Sequence, residues 1–104
     1  MSRSHRLLTL LNQLEQALNA LSLWQVAPPT QEKLMSSEPF AIDTLSPSEW
    51  LQWIFIPKMK WLIEQQQPLP TGFAISPYFE EAWKEQGETQ AVLLLLNQID
   101  EVCA

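Results

Sequence analysis

Between Ser46 and Trp61 the chain reads SPSEWLQWIFIPKMKW, which dictates both where a helix starts and how deeply it must be buried. Ser46 can accept a hydrogen bond from an orphan backbone N–H, Pro47 fits the first helical position, and Glu49 can reach back to the Ser46 N–H as a capping-box partner. The apolar residues Trp50, Leu51, Trp53, Ile54, Phe55, Ile56, Met59, Trp61, Leu62 and Ile63 then wrap most of the helical circumference. A helix of that kind sits centrally, with neighbours on several sides. Pro57 removes one backbone hydrogen bond and its ring meets the carbonyl of Trp53, so a kink near Trp53 is expected in a helix running from Pro47 to about Gln66.

The remaining segments read as helices joined by proline-rich connections. Leu7, Leu11, Leu14, Leu18 and Leu21 recur at spacings of four and three with Asn12, Glu15, Gln16 and Asn19 between them, an amphipathic helix from about Ser4 to Trp24. Its heptad register is too short for a coiled coil, which favours a bundle neighbour over a dimer zipper. From Val26 to Leu45 the pattern stops, because Pro28, Pro29 and Pro39 with Ser36 and Ser37 forbid a long helix; Leu34, Met35, Phe40, Ile42 and Leu45 should pin this stretch as an ordered crossover. Pro68 and Pro70 stop the second helix, and Gly72, Phe73 and Ile75 form a second packed loop. Ser76 and Pro77 repeat the cap-plus-proline start for a third helix to about Gln86, ended by a left-handed Gly87, and a fourth runs from about Glu88 to Val102. With two glycines and no period-two patterning, the fold expected is all-α: a small four-helix bundle with a long proline-containing crossover between helices 1 and 2, in one domain spanning residues 1–104.

Charge and cysteine content remove several classes of function. Net charge is −6, and since residues 1 to 35 carry +1, the rest carries −7. Lys58, Lys60 and Lys84 are scattered among carboxylates, so direct nucleic-acid binding is not expected. The single Cys103 excludes an internal disulfide and fits a reducing compartment. Asn12, Gln13 and Glu15 interrupt any signal-peptide core, and Ala91 to Leu96 falls far short of the roughly 20 apolar residues that span a bilayer. No membrane association is expected, and a cytoplasmic location is.

The strings WLQWIFIPKM, QPLP and ISPYFEEAW, with PFAIDTLSPSEWLQW upstream and the leucine-rich first helix, are similar to the YqcC-like family of small bacterial proteins of unknown function. The resemblance covers nearly the whole chain. It implies a small all-helical bundle and brings no established catalytic residue with it. Some members are encoded beside an enzyme that makes pseudouridine in transfer RNA, which implies an indirect link to such a synthase.

Candidate chemistry is sparse. His5 is the only histidine and lies at the start of the first helix, so with one terminal cysteine no zinc set or nucleophilic triad can be assembled. Glu80, Glu81 and Glu85 could form a carboxylate site, but a Glu80–Lys84 pair at i, i+4 and a favourable helix-dipole position explain them better. Lys58 falls in an apolar sector and should snorkel towards water or Asp43. No catalytic residue, metal site or cofactor is therefore expected. The five tryptophans direct attention to binding instead. On a helical wheel Trp53 and Ile56 share an arc with Glu49, Gln52, Lys60 and Glu64, so Trp53, Ile56, Gln52 and Lys60 are the candidate surface for a protein partner or for self-association. The competing reading is that the crossover covers this arc. A second class of function, a small apolar ligand held near the Pro57 kink, would use Trp61, Tyr78 and Pro57 as its pocket.

Overall fold

The computed structural model describes residues 3–104, in which every regular element is helical and no strand is present. Helix α1 (Arg3–Ala20) buries Leu7, Leu10, Leu11, Leu14 and Leu18. It is followed by a single short turn of helix, α2 (Gln31–Leu34), and by a 3-10 turn at Pro39–Ala41. The central rod, α3, is continuous over residues 47–64 and has three parts: Pro47–Trp50, a π turn at Leu51–Phe55, and Ile56–Glu64. Helices α4 (Ser76–Ala82) and α5 (Gln90–Val102) complete the chain, with α5 preceded by a 3-10 turn at Gly87–Thr89. Helix α1 packs most extensively against α5, while α4 lies on α5 and α1 on the second half of α3. Leu7, Leu11, Leu14, Leu18, Leu51, Phe79, Val92, Leu96 and Ile99 are completely buried and meet in one core.

The start of α3 follows its sequence. Ser46 Oγ accepts from the Glu49 N–H at 3.4 Å and Glu49 Oε1 accepts from the Ser46 N–H at 2.8 Å, closing the capping box. That bond from the Ser46 backbone holds the Glu49 carboxyl below its ordinary pKa, against a smaller opposing effect of burial.

The π turn rewrites the rest of the helix. Pro57 cannot donate to the Trp53 carbonyl, and the helix meets this by widening, with the Ile56 N–H reaching the Leu51 carbonyl five residues back. The distortion expected as a kink near Trp53 is thus a wide turn. A wheel drawn at about 100° per residue loses its phase across such a turn, and every face beyond it is displaced. Ile56, read as exposed, is only 3% exposed, whereas Trp61, read as a pocket residue, is 55% exposed. Lys58 faces solvent and forms no ion pair among the described residues; Asp43, its expected partner, accepts from Ser36 Oγ.

Two helix ends also differ from the sequence reading, those of α1 and α4, while α3 ends where it was expected. Helix α1 stops at Ala20, short of Trp24, because Ser22 turns left-handed at φ 61° and the Leu23 and Ser22 N–H groups close on the carbonyls of Leu18 and Asn19. Gln66, at φ 55°, ends α3 in the same way. Helix α4 ends at Ala82, and Gly87 opens the following 3-10 turn instead of taking a left-handed cap; Gly72, at φ 77°, is the positive-φ glycine. Because α4 ends there, Lys84 pairs with Glu81 at 3.0 Å and not with Glu80, whose carboxylate accepts from Asn97 Nδ2.

Ser76 does not cap α4 with its own side chain. Its hydroxyl bonds to Asn97 Oδ1, and the N–H groups of Ile75 and Ser76 donate to Oδ1 and Oδ2 of Asp100 on α5, both at 2.9 Å. One carboxylate from another helix thus satisfies two orphan donors where the helix dipole also favours negative charge. Asp100→Ala is expected to lower stability by about 2 kcal/mol, read as a drop in the urea midpoint with unchanged slope. Asp100→Asn, which keeps one acceptor, should lose less.

Candidate functional site

The arc around Trp53 is occupied by the chain itself. Gln52, 4% exposed, pairs its side-chain amide with the backbone of Gln25: the Gln25 N–H donates to Gln52 Oε1 and Gln52 Nε2 donates to the Gln25 carbonyl, both at 2.7 Å. The Gln25 side chain then accepts from the Trp53 indole N–H at 2.8 Å and donates to Glu49 Oε2 at 3.0 Å. Four bonds therefore fasten the start of the crossover to one face of α3. Of the four residues read from the sequence as a partner surface, Gln52 and Ile56 are buried, while Trp53 and Lys60 remain half-buried, with Lys60 bridging to Glu15 of α1 at 3.6 Å. The reason is the crossover on one side and the π turn on the other.

What α3 does expose is a row one turn apart: Trp53 half-buried, Pro57 exposed and Trp61 exposed, with Lys60 and Glu64 beside it. A spacing of four residues lies between the repeats of an α and a π turn, so the row survives the phase shift. Trp61 and Pro57 thus belong with Trp53 on this outer face and not with Tyr78 in a pocket.

Tyr78 helps to build a different site. The crossover places Phe40 at φ 57° and Ala41 at φ 48°, left-handed conformations that cost a non-glycine residue about 1–2 kcal/mol each. This backbone sets the Phe40 ring flat on Tyr78, with centroids 4.1 Å apart, against Trp50 at 4.8 Å and edge-on to Phe79 at 6.0 Å, and those contacts hold the strained conformation. Trp50 continues to Phe55 at 5.4 Å, and Phe55 to Phe73 at 6.4 Å. Inside this arc lies an open cleft of about 250 Å³, lined by Phe40, Trp50, Phe55, Met59, Pro70, Phe73 and Ile75. Burial raises the pKa of Tyr78 above the ordinary phenol value. The density of aromatics was legible in the sequence, but nothing in it marks Phe40 for a left-handed backbone.

A second, more polar cleft of about 450 Å³ lies between the start of α1 and the end of α5, lined by His5, Arg6, Thr9, Leu10, Gln98 and Glu101. The described residues contain no group of three or more His, Cys, Asp or Glu placed to hold a metal ion. Cys103 is buried, and burial, the largest influence on it, pushes its thiol pKa up. No helix of the described residues is long and apolar enough to cross a membrane.

Against known proteins, the model of the family DUF446, described as tRNA pseudouridine synthase C, matches residues 6–102. The chain belongs to this YqcC-like family. Over 95 residues it is 38% identical to the uncharacterized protein YqcC of Escherichia coli K12, covering 90% of this chain and 87% of that one. Over 92 residues it is 50% identical to an uncharacterized protein of Haemophilus influenzae, covering 88% and 87%. The solution NMR structure of E. coli YqcC superposes with a TM-score of 0.88 at 35% identity, over 100% of this chain and 90% of that one. The tRNA pseudouridine synthase C of Pectobacterium carotovorum is 39% identical over 84 residues, which are 81% of this chain but only 22% of that protein. The family likeness read from WLQWIFIPKM, QPLP and ISPYFEEAW therefore holds across nearly the whole sequence.

Proposed function

We propose that this member of the family is a non-catalytic interaction module that docks a protein partner through the Trp53, Pro57 and Trp61 row, and that the partner is the catalytic chain of a tRNA pseudouridine synthase. The observation that carries the reading is Trp61, a large aromatic 55% exposed on a continuous helix, with Lys60 and Glu64 beside it as a polar rim. Rigid aromatic side chains of this kind are the usual anchors of protein interfaces. The class of partner is supported by the Pectobacterium synthase, in which the segment like this one makes up about a fifth of a longer chain. Two chains that work as one assembly in some organisms can be joined as one polypeptide in others, and the joined form supplies the high effective concentration that the separate form must replace with an interface.

The test is binding of the purified protein to the pseudouridine synthase of its own organism, by calorimetry. A stoichiometric complex is expected, and Trp61→Ala should weaken it about thirtyfold, the loss that about 2 kcal/mol represents, at an unchanged melting temperature. No complex, or equal affinity for the variant, overturns the reading.

A further inference from the structure

We propose that the aromatic cleft is a binding site for a small uncharged aromatic molecule, between benzene and indole in size. The inference is independent of the docking face, because the cleft and the Trp53–Trp61 row share no residue.

The size of the ligand follows from the space. A cavity of about 150 Å³ lined by apolar side chains stays dry and takes benzene, so about 250 Å³ leaves room for one or two rings and not for a drug-sized molecule. Its charge follows from the walls. Among the lining side chains only the Trp50 indole carries a hydrogen-bonding N–H, and no acid, base or amide is present to offset the cost of burying an ion. Its shape follows from the rings. Phe40, Trp50, Phe55 and Phe73 touch in sequence at centroid separations of 4.8, 5.4 and 6.4 Å, an arc into which a further ring can fit edge-to-face or offset. A partner's aromatic side chain would share this chemistry, but it would also bring backbone amides to walls that offer them a single indole N–H. The free molecule is therefore the occupant.

The floor is buried and one wall is strained. Phe55, Met59 and Ile75 are buried, at 4%, 6% and 6% exposure. Phe40 forms a wall from a left-handed backbone that relaxation of the crossover would release. Strain retained beside an open apolar space is what a preorganised site requires, since a core built for stability alone would fill the space.

The experiment is a titration of the full chain, labelled at its Met and Ile methyl groups, with toluene and separately with benzoate, followed by NMR. Toluene should give saturable shifts at the methyls of Met59 and Ile75, benzoate should bind at least tenfold more weakly, and Phe73→Ala should weaken toluene at least tenfold. Absence of saturable toluene shifts at these methyls, or equal binding of benzoate, overturns the proposal. If Phe73→Ala does not fold, the contrast between toluene and benzoate on the unaltered protein decides it.

Discussion

Phe79→Ala is expected to lower the unfolding free energy by about 3–5 kcal/mol, the range for deleting a fully buried aromatic side chain. Phe79 is 0% exposed and stands at the centre of the ring cluster, 5.0 Å from Tyr78, 5.2 Å from Trp83, and 6.0 Å from both Phe40 and Trp50. These four rings come from α4, the crossover and α3, so the cavity left by truncation cannot close by moving one of them. Domains of this size are stable by about 5–15 kcal/mol in all, and the loss is a large part of that. Equilibrium urea unfolding followed by circular dichroism gives the value. A loss below 1 kcal/mol would mean that the cluster repacks freely and that Phe40 is not held in place by it.

Gln52→Leu is expected to cost about 2–4 kcal/mol, although leucine is similar in size and more apolar. The substitution removes the partners of the half-buried Gln25 N–H and carbonyl among the described residues, and a polar backbone group left unpaired away from water costs about 1–3 kcal/mol. The loss should have a local signature. The Gln25 amide should exchange its hydrogen much faster in the variant, while amides in the middle of α1 and α5 keep the protection that the remaining global stability allows. If Gln25 exchanges at the same rate in both proteins, the pairing is not what fastens the crossover.

The two substitutions also mark where the sequence could and could not be read. The leucine spacing of α1 and the Ser46–Glu49 capping box are local codes, written within a few residues of the structure they specify, and both took the expected form. The faces of α3 beyond Phe55 were misread because one wide turn shifts the phase of everything after it. Pro57 gave notice of a disturbance there, but a kink and a π turn relieve the same missing hydrogen bond and only one of them rotates Ile56 inward and Trp61 outward. The burial of Gln52 depended on Gln25, 27 residues away, and no spacing rule links a non-helical backbone segment to an amide on a helix. The cleft was harder still, since it requires Phe40 in a conformation that phenylalanine avoids. Aromatic density gave the chemistry of the site and the tertiary contacts gave its place.

The Asp100 cap has a consequence for the order in which this fold assembles. Helix α4 is seven residues long, too short to persist by itself, and the carboxylate that steadies its first turn lies 24 residues downstream of Ser76. Its first turn is expected to settle only with α5 in place, so Tyr78 and Phe79 should join Phe40 and Trp50 only when the last helix docks.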